Sequence, residues 1–504
     1  MTNLFNGCLR IPYLDLTNLY TNRLVNMSSM FANCKELNEL NLTSFNTRNV
    51  QDMSYLFKNC KYLKNLTLGN NFNTSKAKYM KETFYQCENL TSLDLRLFNT
   101  ENVITMNRMF IYCSKLKYLD ISSFRTPNLK DTGLMFFECK ELLSLDFTNF
   151  DVSKVTDMSN MFQLCTKITS LDLSYFIPKE ATDMRSMFSA CYNLAYLDVS
   201  NFDTSKVTTM ENMFSSCNSL TSIDVSSFNT KNVKDMRYMF YDNHNLPSLD
   251  VTNFDTSSVT TMSSMFYKCS SLTSLDLSNF VGKNVDNIQD LIADCHGIKY
   301  INLDNFEGDI KNMANAFRNC YSLEYLNISK IKTEKTTNIQ NLFENDYSLK
   351  YLNLSHFSLK LVYYMQNMFR NCYSLESIDL SNLNTSNVQT MVGMFENCGK
   401  LTSLNLSNFD TRKIRYMNSV FNNSTSLSSL IINFNTTYVQ RMNYIFGSCT
   451  SLKTLNLTSF RTDKMSVSDL SHMFENDYGL IIYINEKMCK NLIPILPEYV
   501  TYNP

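Results

Sequence analysis

The chain has 504 residues, of which 46 are basic and 47 acidic, a formal net charge of −1, and an apolar fraction of 44%. That balance argues against a nucleic-acid footprint or a polybasic membrane surface, and the apolar fraction argues against disorder. No run of about 18 apolar residues occurs, so no transmembrane helix is expected.

From the first residues onward one slot recurs. It is held by Phe5, Phe31, Phe57, Phe84, Phe110, Phe136, Phe162, Phe188, Phe214, Phe240, Phe266, Ile292, Phe317, Phe343, Phe369, Phe395, Phe421, Phe446 and Phe474, almost always 26 residues apart. A fixed period of this size is the signature of a solenoid, in which each unit packs on its neighbours and one core runs through the stack. The opening MTNLFNGCLRIPYLDL has no basic n-region, apolar h-region or small-residue cleavage site of a secretory signal. Met1, Leu4, Phe5 and Cys8 hold the slots of Met158, Met161, Phe162 and Cys165, so the first unit begins mid-repeat, as a fragment or part of a longer polypeptide would.

Each unit divides into two halves, seen best at Phe150–Tyr175. Val155, Met158, Met161, Phe162 and Cys165 follow a spacing that lies on one stripe of an α-helix, with N-cap chemistry near Ser153 and Asp157 in the first turn. Leu171 and Leu173 then alternate with Asp172, the period of a strand. The expected fold is therefore a leucine-rich-repeat-like α/β solenoid of about nineteen 26-residue units. A parallel sheet would form one face and short α-helices the other. Residues 1–480 would be the solenoid, and 481–504 the last strand and a C-terminal cap containing EKMCKNLIPILPEYVTYNP. The turn at Thr67–Asn73 carries one extra residue. The units from Leu90 to Leu277 are the most regular, and the pattern weakens from Gly282 to Lys311, where curvature is expected to change.

The units FDTSKVTTMENMFSSCNSLTSIDVSSF (202–228) and FDTSSVTTMSSMFYKCSSLTSLDLSNF (254–280) closely resemble the repeats of BspA-like leucine-rich-repeat surface proteins. The resemblance covers essentially residues 1–480. It implies a surface-exposed or secreted, non-catalytic protein that adheres to host matrix or cell-surface proteins, and it transfers no catalytic residue.

Four columns of residues are candidates for chemistry. Fifteen of the sixteen cysteines share one slot, which Asn243, Asp346, Ser424 and Asp477 hold in the remaining units. No CxxC pair is present, and the slot reads as packed, reduced thiols, with disulfides or a metal as the alternative. Methionines such as Met158 and Met161 read as core. Asp94, Asp120, Asp146, Asp172, Asp198, Asp224, Asp250 and Asp276 form an outward column. Stacking would set like charges about 5 Å apart and disfavour full ionisation, unless flanking Ser and Thr, cations or a basic partner compensate. The same slot then becomes Asn302, Asn327 and Asn353, and the outward slot two residues earlier becomes Tyr300, Tyr325 and Tyr351. This Tyr–Asn patch and the adjoining Asp198, Asp224, Asp250 and Asp276 are the expected binding face, because tyrosine suits interfaces. Alternatively, the tyrosines simply stack to hold the sheet.

Enzyme readings find little support. His244, His296, His356 and His472 hold unrelated slots, no phosphate-cradling loop occurs, and no cofactor or metal is expected. The sequons at Asn41, Asn65 and Asn89 are made of repeat letters and are weak evidence for glycosylation. The leading expectation is a surface or secreted adhesin with a protein ligand, docked through the sheet face. An intracellular, cytoplasmic scaffold is the alternative.

Overall fold

The computed structural model describes residues 1–504, which form two compact units, Met1–Phe254 and Asp255–Pro504. Each is a stack of rungs whose strands run parallel and in register. In the first unit Ser170–Asp172 pairs with Tyr196–Asp198, residue for residue at a 26-residue offset. In the second, Tyr300–Asn302 pairs with Tyr325–Asn327, and Ser403–Leu406 with Ser429–Ile432. The strands are two to four residues long because only the Leu-x-Leu portion alternates between core and solvent; Leu171 is buried between exposed Ser170 and Asp172.

The expected α-helices do not form, and the second face of each unit has another construction. Along Met158–Cys165, alternate N–H groups donate to the next rung, Met158 to Asp183 O, Asn160 to Arg185 O, Phe162 to Met187 O and Leu164 to Ser189 O, at 2.8–3.0 Å. The N–H groups between them close three-residue turns, Met161 to Met158 O, Gln163 to Asn160 O and Cys165 to Phe162 O. This winding requires left-handed backbone at two positions, Asn160 (φ 55°) and Leu164 (φ 62°), and the same two slots repeat it along the chain. Ser153 and Asp157 are not helix caps. The Asp151 carboxylate accepts the Ser153 N–H at 2.8 Å, and Asp157 Oδ1 accepts the Ser159 N–H at 2.9 Å. Asp157 also joins a second parallel column of single-residue bridges, to Asp131 and Asp183.

Spacing explains the outcome. The Phe rings of successive rungs stack nearly parallel at 5.6 Å for Phe136–Phe162 and for Phe162–Phe188, and at 5.6 Å for Phe343–Phe369. Helices pack about 8–10 Å apart, whereas strands lie about 4.8 Å apart. A rung that repeats at strand spacing on both faces has no room for an element wider than an extended chain. The 0, 3, 6, 7, 10 spacing of apolar residues is met equally well by this turn-rich winding, because its three-residue turns also return side chains to one side.

Inside, the buried columns are Met, Phe, Cys and Leu, all at or near zero exposure. Polar columns tie the rungs further. Thr100 Oγ1 accepts the Arg125 N–H at 2.9 Å and donates to Arg125 O at 2.8 Å, and Thr74, Thr385, Thr411 and Thr436 repeat both contacts one rung on. In the weakened stretch after Gly282 the inter-rung bonding continues, Ile292 N–H to Ala316 O at 2.9 Å. Gly282 (φ +55°) lies under the Phe306 ring, where a Cβ would meet a ring carbon at 2.2 Å. Near the end, Ile481–Ile484 pairs on one side with Thr454–Leu457 and on the other with Thr501–Asn503. No helix is long and apolar enough to cross a membrane.

Candidate protein-interaction groove

The slots free to vary are the two that point outward from each strand. In the second unit these hold Tyr300 and Asn302, Tyr325 and Asn327, and Tyr351 and Asn353, with the tyrosines 59%, 43% and 61% exposed. The three rings do not form one continuous stack. Tyr325 lies on Tyr300, centroids 4.6 Å apart and 19° from parallel. Tyr351 turns to the rung that follows, where its hydroxyl donates to Glu376 Oε2 at 2.7 Å. That bond, with the charge of Glu376 second and burial third, raises the tyrosine above its ordinary pKa. The ladder pairing shows the same division. Tyr300–Asn302 pairs with Tyr325–Asn327, and Tyr351–Asn353 pairs with Ser377–Asp379.

Between the two pairs lies a groove of about 810 Å³, with Tyr325 and Tyr351 as walls, Leu326 and Leu352 on its floor, and Glu324 and Asp379 among its polar groups. Asn327 and Asn353 line it as well, and Asn302 and Tyr300 do not. Asn327 Oδ1 accepts the Ser329 N–H at 3.2 Å; Asn353 Oδ1 accepts the Ser355 N–H at 3.0 Å and its hydroxyl at 2.8 Å. Each Asn thus turns the chain at the end of its strand and is held in one orientation while doing so.

Of the compensations open to the aspartate column, the structure supplies hydrogen bonds from the flanking Ser and Thr. Every member of the expected set takes the N–H of the residue two positions on: Asp198 from Ser200 at 3.0 Å, Asp224 from Ser226 at 2.9 Å, Asp250 from Thr252 at 3.0 Å and Asp276 from Ser278 at 2.9 Å. These bonds stabilise the charged form. Asp224 lies below the ordinary carboxylate range because the side-chain and backbone hydrogen bonds of Ser226 outweigh burial and the like charge of Asp250. Asp94, Asp146, Asp172 and Asp250 are lowered in the same way, led by the side chains of Arg96, Thr148, Ser174 and Thr252. The column is a row of turn-forming carboxylates. Asp198, Asp224 and Asp250 belong to the first unit and Asp276 to the second, and none of the four lines the groove.

Sequence reasoning missed a second cleft, of about 900 Å³, in the first unit, lined by Arg125, Pro127, Asn128, Tyr175, Ile177 and Lys179 among others. It lies where the buried threonine column is interrupted. Val152 and Pro178 hold the slots of Thr126 and Thr204 and have no hydroxyl to bond the next rung. Those two replacements were the signal available.

The cysteines are free, and all but Cys8 are buried. Thiols in the column donate to the carbonyl of the Phe slot one rung back, as Cys165 does to Phe136 O at 3.2 Å and Cys191 to Phe162 O at 3.1 Å, and Cys320 to Ile292 O at 3.3 Å where Ile takes the place of Phe. Burial pushes the thiols up, Cys113 and Cys191 to about 12.

A protein-family model described as "Mycoplasma protein of unknown function, DUF285" matches residues 1–118, 62–176, 112–196, 182–306, 311–405 and 397–490. No curated protein matches the chain. Similar solved structures include a leucine-rich repeat protein from Bacteroides ovatus, 18% identical over 74% of this chain and 80% of that one, with a TM-score of 0.36. A leucine rich cell surface protein from Faecalibacterium prausnitzii is 14% identical over 79% and 83%, with a TM-score of 0.25. An internalin from Listeria monocytogenes is 15% identical over 73% and 86%, with a TM-score of 0.22.

Proposed function

The chain belongs to the DUF285 family, and on that footing we propose that it is a non-catalytic protein-binding repeat protein that engages host or neighbour-cell proteins from a cell surface, as its BspA-like repeats imply. The groove between Tyr325 and Tyr351 carries this reading. Two exposed aromatic walls over an apolar floor, with a polar rim, are the composition of an interface anchor site, and tyrosine supplies contact area at low entropic cost. Asn327 and Asn353 are held by hydrogen bonds to Ser329 and Ser355, which favours a groove arranged before a partner arrives. The thiol column is compatible with an oxidising location. Disulfide exchange requires a thiolate, and thiols buried and bonded to carbonyls rarely form one.

The test uses the full chain coupled to beads and presented to a panel of purified matrix glycoproteins. Retention by at least one member is expected, reduced about tenfold by Tyr325→Ala with Tyr351→Ala, a loss of about 1.4 kcal/mol. Equal retention of the double variant, with its thermal transition unchanged, overturns the reading. Surface placement is tested separately by protease treatment of intact cells.

A further inference from the structure

The groove's ionisable lining has one sign. Glu324 and Asp379 are its only charged groups. Asp379 is held below the ordinary carboxylate range first by the Ser381 side chain, then by the Ser381 N–H, which lies 2.9 Å from Oδ1. Glu376, on the rung after Tyr351, lies outside the lining, with Oε2 taken by the Tyr351 hydroxyl. The lysines Lys299 and Lys350 alternate with Glu324 and Glu376 along the neighbouring slot and do not line the groove. One face of the Tyr325 ring is covered by Tyr300 at 4.6 Å, while Tyr325 and Tyr351 together wall the groove. The floor, Leu326 and Leu352, is nearly but not wholly buried, each 8% exposed.

An occupant must therefore be flat enough to lie against a tyrosine face, cationic, rich in hydrogen-bond donors, and apolar along its stem. An aromatic side chain would fill the space and leave two carboxylates desolvated without a partner, which is costly. A lysine ammonium meets the charge but is a compact, strongly hydrated point with no face to stack. A guanidinium satisfies all four conditions: it stacks on tyrosine, offers five donors in a planar fork, and carries an aliphatic stem for the leucine floor. We infer that the groove between Tyr325 and Tyr351 is an arginine-binding site, which takes an arginine side chain presented by the protein partner. This rests on the interaction reading above and names the group that reading leaves open.

The probe is a fluorescein-labelled peptide of three arginines separated by glycines, titrated by anisotropy against the full chain. Companion peptides carry citrulline, planar but neutral, or lysine. The arginine peptide is expected to bind at least tenfold more tightly than either companion, with binding weakened by salt. Tyr325→Ala should lower its affinity about tenfold, Tyr325→Phe less than twofold, and Asp379→Asn several-fold, all with unchanged thermal transitions. Equal binding of the arginine and citrulline peptides, or arginine binding indifferent to Tyr325→Ala, overturns the inference. If that happens while glycoprotein retention still depends on Tyr325 and Tyr351, only the arginine assignment falls. If arginine binding depends on Tyr325 but no glycoprotein is retained, the arginine site stands and the adhesion reading falls.

Discussion

The units Met1–Phe254 and Asp255–Pro504 are built from one rung but fill two of its slots differently. On the outward strand slot the first unit has a run of aspartates that close turns, while the second has asparagines beside tyrosines that part into a groove. In the inward thiol slot the first unit departs from cysteine once, at Asn243, and the second departs at Asp346, Ser424 and Asp477. The departures reveal the rule of the slot. Asn243 Nδ2 donates to Phe214 O at 2.9 Å, and Ser424 Oγ donates to Phe395 O at 2.8 Å, as the thiols do. What the slot requires is a small donor aimed at the Phe carbonyl of the preceding rung. A carboxylate supplies none. Asp346 Oδ1 accepts the Cys320 N–H at 3.0 Å and Oδ2 is buried without a partner, and burial pushes this acid well above its ordinary range.

The largest expected effect tests what the units share. Phe162→Ala in the first and Phe343→Ala in the second each remove a fully buried ring from a stack and should each cost about 3–5 kcal/mol in urea unfolding. A cost below about 1.5 kcal/mol in one unit alone would break the claim of a common core.

Next in size is the thiol slot. Asp346→Asn gains the donor that Asn243 shows to fit, and should stabilise the chain by about 1–3 kcal/mol at pH 7.5. Direction with pH follows from linkage. Burial raises the folded-state value, to about 7 for Asp477, above an unfolded value near 3.9, so the native state holds more protons in that window. The stabilisation these acids allow is complete below about pH 4 and is lost as pH rises toward the folded value. Calorimetric transitions from pH 4.5 to 8 should fall with pH in the parent and flatten in the Asp346→Asn, Asp477→Asn double variant. The reverse change, Asn243→Asp, should introduce the slope into the first unit.

The smallest effect concerns the left-handed slots. The second unit places asparagines there in a ladder: Asn345 donates to Asn319 Oδ1, Asn371 to Asn345 and Asn397 to Asn371, each at 2.5 Å. The first unit accepts Leu164 at φ 62°. Leu164→Asn should stabilise by about 0.5–1 kcal/mol, since asparagine visits this region more readily than leucine. Denaturant midpoints would show it, and a destabilisation would mean that the Leu164 side chain contributes more than its backbone costs.

Much of the fold was legible. The Phe, Met, Cys and Leu slots named from the 26-residue period are the buried columns, and the Leu171–Asp172–Leu173 alternation is a strand and its turn. The helix was misread because periodicity reports which side chains share a side, not which backbone bonds put them there. A better signal was present in the left-handed slots, where Asn315, Asn319, Asn341, Asn345 and Gly393 are poor helix formers. Of the candidate site, Tyr325, Asn327, Tyr351 and Asn353 were named from the sequence and line one groove. The parting of the tyrosines was not legible, because it depends on Glu376 drawing Tyr351 toward a later rung. For the aspartates, flanking Ser and Thr were named from the sequence as one of three compensations, and the structure adds that their backbone N–H groups, two residues on, also donate.

The sequence by itself determined the repeat, the parallel order of the strands and the inward columns, because burial of apolar side chains at a fixed period leaves no other stable arrangement. Tertiary structure alone decided how the second face is wound, how Asp346 is buried in the thiol slot and where the outward face opens. Each of these depends on hydrogen bonds and ring contacts between residues about 25 positions apart, whose partners are set by the spacing of the stack.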